Sequence, residues 1–352
     1  MPFVQVKTAS GRIKFHYMIS TPRSNDAMCI DSNLPTLLWF HSLGFPHVFH
    51  PQFNDPLLRK FNLVAFDMRV HGETEADDLP EGYGIKEAGE DAIAFMDALS
   101  LPACHFVAMD FGSPIALEVA VSHPDRVRSL FIISQTCLEE PADVREGHQQ
   151  LFESWTASYP GPNEIDHDRM VESAYGYAQF MFNNNLTNLG QAMVNMAFEP
   201  AQRHWGYHGL HNYRIVTFEF LTSRKAQTRE KLSRLRCPVK LVYGTDDIAY
   251  PQSYTEKFMQ DLKDAGVNAS LFIVPGAPHF VGVDHYSLVD PILHDFIIQC
   301  DDRNSPAASG TILSPWHEAL LSSGWKPDGT DDDSDDDIVI SYVSCPHVQM
   351  LH

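Results

Sequence analysis

An aspartate stands at the turn between a strand pattern and a helical pattern. Asp110 follows the apolar run His105–Ala108 and precedes Gly112, after which Pro114–Ala120 has helical spacing. A strand, a sharp turn flanked by small residues and a helix together present the side chain at the turn to a substrate. A carboxylate is already ionised at neutral pH, so it needs no base to activate it. Asp110 is therefore predicted to attack directly, which favours an electrophilic carbon bearing a leaving group.

The elements that must position Asp110 alternate between strand and helix, which predicts an α/β fold with a mostly parallel central sheet flanked by helices. Before about residue 135, the predicted elements are the strands Arg12–Met18, Pro35–Phe40, Leu63–Phe66, His105–Ala108 and Val127–Ser134 and the helix Ile85–Leu99. After residue 236, they are the strands Val239–Gly244 and Ser270–Val274 and the helices Ser253–Ala265 and Ser287–Cys300.

The stretch between these two halves has a different pattern. It is rich in aromatic residues and Met, and it has helical spacing without a convincing strand. We therefore expect a first core half at 1–137, a helical cap at 138–232, a second core half at 233–300 and an acidic C-terminal extension at 301–352. A flexible tail is the simplest interpretation of the extension, although Trp316, Leu320, Leu321 and Trp325 could dock on the body.

Composition limits the partners and the compartment. The formal net charge is −21, which argues against nucleic acid and anionic membrane surfaces as partners. Six scattered cysteines without a C-x-x-C pair favour reduced thiols. No secretory signal and no apolar run of membrane-spanning length are evident. These features predict a cytoplasmic protein.

Several motifs occur in an order that resembles the α/β-hydrolase-fold superfamily, over most of residues 10–135 and 235–300. They are His41–Pro46 after a strand, Asp67–Gly72 after the next, the elbow around Asp110, Ser122–Val127 after its helix, Gly244–Pro251 and Gly276–Phe280. Within the superfamily, an aspartate at the elbow resembles the epoxide hydrolases and haloalkane dehalogenases. The resemblance implies an inserted helical cap and a hydrolase without a cofactor.

The resemblance also implies roles for particular residues. The order Asp110, Asp247, His279 is that of nucleophile, acid and base in this fold. His279 would orient a water molecule, and Asp247 would accept its other ring N–H; the G-x-x-D spacing selects Asp247 over Asp246. The backbone N–H groups of Leu43 and Phe111 would bind the oxyanion formed on the carboxyl carbon of Asp110.

The sequence restricts the class of substrate less than it restricts the catalytic residues. Epoxide opening needs an acid, which the family draws from cap tyrosines, and Tyr177 and Tyr213 are the candidates; either could equally be a core aromatic of the cap. Dehalogenases usually have Trp after the nucleophile, where this chain has Phe111. The leading prediction is hydrolysis of a small apolar electrophile, most simply an epoxide.

Two other functions stay open at this point. The His41–Gly44 loop resembles the enol-lactonase and esterase branch, and Val70 and Ala108 replace glycines that are usual in the superfamily. Esterase, lactonase or C–C-bond-cleaving chemistry is therefore an alternative. A ligand-binding member without catalysis is the other.

The C-terminal extension carries a separate hypothesis. The acidic run from Asp331 to Asp337 precedes the β-branched segment Ile338–Ile340 and Tyr342. A segment of this kind could add as a strand to the basic sheet edge of a partner protein. The alternative is a solvated acidic tail whose apolar residues pack on the protein's own body. No spacing of His, Cys or Asp predicts a metal site.

Overall fold

A mostly parallel sheet forms the centre of the molecule. The structure is a computed structural model that describes residues 2–137, 139–303, 306–308, 310 and 312–327. Within these residues the strands form one nine-stranded sheet in the order β1-β2-β4-β3-β6-β7-β8-β9, with β5 paired to β2. The strands are β1 Phe3–Thr8, β2 Gly11–Ser20, β3 Thr36–Phe40, β4 Asn62–Phe66, β5 Glu75–Ala76, β6 Cys104–Asp110, β7 Val127–Gln135, β8 Val239–Gly244 and β9 Ala269–Val274.

The central strands are buried on both faces. Every residue of β3, β4 and β6 is buried, because helices cover both sides of the sheet. These strands consequently have nearly continuous apolar runs, which is why the sequence pattern predicts them. Strand β1 is absent from the predicted strands, since its residues alternate between exposed and half-buried positions and carry little apolar signal.

Strand β6 lies in the middle of the sheet and carries Asp110 at its carboxyl end. It pairs in parallel with β3 on one side and β7 on the other. Ligands of open α/β sheets bind outside the carboxyl ends of the strands. The flanking helices are α1 His50–Asn54, α2 Ile85–Ala98, α3 Gly112–Ser122, α10 Gln252–Asp264, α11 Val281–Asp284 and α12 Tyr286–Cys300.

The described chain between β7 and β8 consists of helices joined by loops. Its helices are α4 Ala142–Ala157, α5 His167–Phe182, α6 Asn188–Trp205, α7 Leu210–Tyr213, a π-helical segment Arg214–Glu219, α8 Phe220–Thr222 and α9 Arg229–Leu232. These helices contact the loops after β3 and β4: Tyr177 donates to the carbonyl of Leu43, and Arg203 donates to the carbonyl of Gly72. The predicted limits of a cap at 138–232 and of the core halves on either side stay a prediction.

Residues 312–327 pack against the body, which corrects the expectation of a flexible extension over this part. Trp316 lies edge-on to Phe53 with ring centroids 4.9 Å apart, and Trp325 lies 4.6 Å from the ring of His50. The short helix α13, His317–Ser322, buries Leu320 completely. Large aromatic side chains bury enough apolar area to hold a short segment in place. The acidic run and strand-like segment from Asp331 to Tyr342 lie outside the described residues.

None of the helices in the described ranges combines the length and the apolar character that crossing a membrane requires.

Candidate active site

The turn after β6 holds Asp110 in an unusual backbone conformation. Its φ is +47°, in the left-handed region that a residue with a side chain rarely adopts. The Ser113 hydroxyl donates to the carbonyl of Asp110 at 2.6 Å and ties the turn to the first turn of α3. A Cβ on Gly112 would lie 2.4 Å from the carbonyl oxygen of Phe40, so only glycine fits where the helix passes β3. The turn therefore presents the carboxylate at the carboxyl end of the sheet.

The two carboxylate oxygens of Asp110 have different surroundings. Oδ2 accepts a hydrogen bond from the backbone N–H of Leu43 at 3.3 Å, and the backbone N–H of Phe111 also bonds to this carboxylate. Oδ1 lies 3.4 Å from Nε2 of His279. Asp110 as a residue is 6% exposed. One oxygen is thus held by the loop after β3, and the other faces the imidazole.

His279 lies between two carboxylates. Its Nδ1 is 2.7 Å from Oδ2 of Asp247, and its side chain is fully buried. The other oxygen of Asp247 accepts from the backbone N–H groups of Ala249 and Tyr250, each at 2.9 Å. Asp246 is exposed, and its carboxylate accepts from the hydroxyl of Thr245 instead. Of the two neighbouring aspartates, the one selected by motif spacing is the one that faces the imidazole.

The surroundings shift the pKa values of this set in opposite directions. Burial alone would lower the pKa of His279, but the charge and hydrogen bonds of Asp247 and Asp110 outweigh it and raise the pKa to about 10. Burial alone would raise the pKa of Asp110, yet His279 and the two backbone N–H groups hold it below its usual value. At neutral pH His279 is therefore an imidazolium that faces the carboxylate of Asp110.

A cavity lies beside this set under the inserted helices. It offers about 100 Å³ to water-sized molecules and is lined almost entirely by apolar and aromatic side chains, including those of Leu43, Phe45, Trp155, Phe198 and Trp205. Both tyrosines predicted from the sequence, Tyr177 and Tyr213, also line it. The ring of Tyr177 stacks on Phe45 with centroids 5.7 Å apart. Burial raises the pKa of both phenols, so both keep their protons at neutral pH.

A second charged cluster lies next to His279 and was missed from the sequence. The ring of Tyr250 is 5.4 Å from that of His279, and its hydroxyl donates to Glu140. Arg224 donates to the same carboxylate, and Nε2 of His148 lies 2.9 Å from its Oε1. The available signal was the helical spacing of His148 with the cavity residues Leu151, Phe152 and Trp155, which places a polar side chain on an apolar face.

Within the described ranges, no group of three or more His, Cys, Asp or Glu side chains is arranged to hold a metal ion.

The sequence matches the model of one protein family, described as alpha/beta hydrolase fold, over residues 35–286. A putative carbamate hydrolase RutD from Variovorax paradoxus is 23% identical over 83% of this chain and 99% of that protein. Epoxide hydrolase 3 from Siraitia grosvenorii is 22% identical over 75% of this chain and 92% of that protein. The crystal structure of an enol-lactonase from Burkholderia xenovorans superposes with a TM-score of 0.63 at 18% identity, covering 84% of this chain and all of that one.

These relatives differ in the reactions their names describe. A carbamate hydrolase, an epoxide hydrolase and an enol-lactonase all match at similar low identity. Likeness at this level establishes the fold and leaves the reaction to be argued from the site.

Proposed function

The chain belongs to the alpha/beta hydrolase fold family, and we propose that it is a hydrolase of that fold in which Asp110 attacks the substrate to form a covalent ester. Asp247 and His279 complete the catalytic set, and the backbone N–H groups of Leu43 and Phe111 form the oxyanion hole. The favoured substrate is a small apolar epoxide.

The unequal surroundings of the two Asp110 oxygens carry this proposal. Oδ2 is bonded by the N–H of Leu43, while Oδ1 faces His279 at 3.4 Å. A carboxylate nucleophile needs this asymmetry, because one oxygen attacks and the other becomes the oxyanion when the ester is hydrolysed. A serine at the same turn would have only one oxygen, and the N–H groups would then bind an oxygen of the substrate instead.

In the first step, Oδ1 of Asp110 attacks a ring carbon of the epoxide, and the bond from that carbon to the epoxide oxygen breaks. The resulting alkoxide takes a proton from a phenol of the cavity wall, for which Tyr177 and Tyr213 are the candidates. Tyr177 is placed next to the nucleophile through Leu43, whose carbonyl accepts from the phenol at 2.8 Å and whose N–H donates to Asp110.

In the second step, His279 removes a proton from water, and the hydroxide adds to the ester carbonyl carbon of Asp110. Esterification has already removed the negative charge of Asp110, so the imidazolium loses one of its two stabilising partners. The pKa of His279, about 10 in the free protein, then falls, and the imidazolium passes its proton to the phenolate left by the first step, which makes His279 a neutral base. The tetrahedral oxyanion is bound by the N–H groups of Leu43 and Phe111. It collapses to the carboxylic acid of Asp110 and the diol, whose leaving oxygen takes the proton from His279. The carboxylic acid then gives its proton to His279, which restores the carboxylate and the imidazolium of the free protein.

The cavity supports an apolar substrate. It is small, and its lining residues are largely aromatic and aliphatic, so a charged group would be buried there without a partner. Phe111 directly after the nucleophile has no side-chain N–H with which to stabilise a leaving halide. An epoxide, whose oxygen a phenol can protonate, suits the site better than a haloalkane.

A single turnover in heavy-oxygen water tests the covalent ester. With enzyme in excess over styrene oxide, hydrolysis at the Asp110 carbonyl is expected to leave one heavy oxygen in the peptide that contains Asp110, detected by mass spectrometry after proteolysis. Turnover without label in that peptide would show that Asp110 acts as a base on water, and the proposal would be wrong.

Hydrolysis of an enol-lactone or ester is the second candidate. The observations that favour it are the likeness to an enol-lactonase structure and the His41–Gly44 loop, which resembles that branch. Here Asp110 would either activate water or attack the acyl carbon to give an anhydride. The same labelling experiment with a lactone distinguishes the two routes, because only the anhydride route puts heavy oxygen into Asp110.

A further inference from the structure

We propose that the substrate carries a hydrogen-bond donor, a hydroxyl or amide N–H, in addition to its electrophilic carbon, and that Nδ1 of His148 accepts it. This inference deepens the proposed function and rests on it for the electrophile. It concerns the one imidazole among the described residues in the wall of a largely apolar cavity.

The placement of His148 in the cavity is the first observation. It lies on the face of α4 that Leu151, Phe152 and Trp155 turn towards the cavity. Among the described residues of the lining, there is no carboxylate, lysine or arginine, and the only ionisable groups besides His148 are the two tyrosines. Its side chain is 12% exposed. The indole N–H of Trp205, buried without a hydrogen-bond partner, also belongs to a lining residue, but it can only donate. His148 is thus the one imidazole that a ligand meets among the described lining residues.

The orientation of the imidazole is the second observation. Nε2 of His148 lies 2.9 Å from Oε1 of Glu140 and is buried. The N–H direction misses the ideal line to this oxygen, so the contact is not a well-aligned hydrogen bond. Nevertheless, two lone pairs would repel at this distance, and a carboxylate only accepts. The proton of a neutral imidazole must then be on Nε2, which leaves the lone pair on Nδ1.

The charge balance of the cluster is the third observation. Glu140 is 4% exposed and is already paired with Arg224, which is equally buried. Tyr250 also donates to Glu140. One carboxylate with one guanidinium is neutral, so the cluster does not require a second cation at His148. With its proton on Nε2 beside Glu140, His148 has a lone pair at Nδ1 that accepts a hydrogen bond from a donor and offers no proton there to an anionic substrate group.

The cluster also joins the cavity to the catalytic set. Tyr250 connects Glu140 to the ring of His279 at 5.4 Å and donates its backbone N–H to Asp247. Leu43 provides a second connection, because it lines the cavity and its backbone N–H donates to the carboxylate of Asp110. The wall of the cavity thus contains Leu43, which contacts the nucleophile, and His148, where a donor would be recognised.

A matched substrate pair tests the inference. Para-hydroxymethyl styrene oxide and para-ethyl styrene oxide have nearly the same size, and only the first has a donor. One neutral hydrogen bond is worth about 1 kcal/mol, so the wild-type kcat/KM is expected to favour the hydroxymethyl substrate by about 5–10-fold. H148F should reduce this preference to about one or below. H148N, whose amide oxygen can occupy the position of Nδ1, should keep part of it.

Two controls keep the outcome interpretable. H123F removes another histidine that contacts a glutamate, His123 with Glu90 at 3.0 Å, on the surface; the substrate preference should not change. Thermal unfolding of each variant identifies any that fails to fold. Equal wild-type kcat/KM for the pair, or a preference that persists in H148F, would overturn the inference. Para-carboxyl styrene oxide is a third substrate for the same assay. A preference for it over the hydroxymethyl substrate would also overturn the inference, because a protonated His148 would then be required.

Binding separates failure of this inference from failure of the proposed function. Para-hydroxymethyl ethylbenzene and para-diethylbenzene have no electrophile, and their binding to D110N can be followed through the fluorescence of the cavity residues Trp155 and Trp205. Tighter binding of the hydroxymethyl compound that is lost in D110N/H148F would support the role of His148 even if no epoxide were hydrolysed. Equal binding of both compounds, with epoxide turnover intact, would leave the proposed function standing without this contact.

Discussion

Two buried histidines lie at opposite ends of the sheet, and each has an oxygen atom on either side of its ring. At the carboxyl end, His279 lies between Asp247 at 2.7 Å and Asp110 at 3.4 Å. At the amino end, His105 lies between the hydroxyl of Ser129 at 2.8 Å and Asp301 at 3.2 Å. The second arrangement contains the residue types of a serine hydrolase triad, yet the two histidines have opposite proton affinities.

The pKa values show the difference. Burial lowers the pKa of His105 to about 4, and the bond from Asp301 does not compensate. For His279 the two carboxylates prevail over burial and raise the pKa to about 10. Asp301 is bonded by Arg303 through Nε at 2.9 Å, so its charge is already balanced. Apart from its contact with His279, Asp247 accepts hydrogen bonds from the backbone N–H groups of Ala249 and Tyr250. Asp110 adds a second carboxylate on the other side of the His279 ring.

Net charge around the ring, rather than the number of polar contacts, therefore decides whether the imidazole is charged. Their neighbours differ as well. His105 and Ser129 are fully buried at the start of their strands, and neither lines the cavity. We interpret the amino-end group as a structural tie between the sheet and the chain after α12. The carboxyl-end set contacts the cavity wall through Leu43.

Replacing Asp110 should have the largest effect on turnover. D110N removes the nucleophile, and kcat/KM for styrene oxide is expected to fall at least about 10³-fold. Mass spectrometry must show that the new amide has not hydrolysed back to Asp. A variant that stays chemically Asn and keeps near wild-type activity would exclude Asp110 as the nucleophile.

Replacing the aspartate beside each histidine tests the comparison directly. D247N should reduce kcat by roughly 10²–10⁴-fold, because the imidazolium loses its charged partner and its fixed orientation. The His279 pKa, measured by NMR titration, should fall from about 10 towards its ordinary value. D301N is the matched control at the amino end and should leave kcat near that of the wild type. Equal losses of activity in both would contradict the assignment of separate roles.

The two histidines should also affect stability in opposite pH ranges. The folded protein resists protonation of His105, so stability is lost as the pH falls from about 6.5 towards 4, by up to roughly 3 kcal/mol. H105N should flatten this acid limb in urea unfolding measured at pH 7, 5.5 and 4.5. The contribution of His279 is present below pH 6.5 and is lost as the pH rises through about 10. An H105N curve parallel to the wild type on the acid side would show that His105 is not buried in the neutral form.

The smallest effect is expected from the serine of the amino-end group. S129A leaves Nδ1 of His105 without its partner, which costs about 1–3 kcal/mol for a buried polar atom. Turnover should be unchanged, since Ser129 is remote from Asp110 at the other end of the strands. Loss of turnover with stability intact would mean that Ser129 has a chemical role of its own.

Much of the fold followed from the sequence because its central strands are apolar over their whole length. β3, β4 and β6 are buried on both faces, so their continuous apolar runs locate them in the sequence. The apolar pattern of the sequence did not predict the half-exposed strand β1. It left the docking of residues 312–327 as an alternative to a flexible tail. Strand β1 has little apolar signal, and whether Trp316 finds a complementary surface depends on Phe53, which is distant in sequence.

The sequence by itself predicted which side chains lie together at the carboxyl end of the sheet, and their chemical roles stay a prediction. Motif order selected Asp110, Asp247 and His279, and turn spacing distinguished Asp247 from Asp246, because a tight turn is specified by neighbouring residues. The helical spacing of α4 gave a signal for His148 alone. The sequence could not show that His148 meets Glu140 and Arg224, since these residues come from separate parts of the chain.

Only the tertiary structure determined the pKa shifts of His279 and His105 and which residues line the cavity. His279 and Asp110 are 169 positions apart in the chain, and His105 and Asp301 are 196 apart. Electrostatic interactions depend on distance through space and on burial, and neither can be read from separation along the chain. Two histidines with similar contacts thus became a charged catalytic candidate and a neutral structural tie.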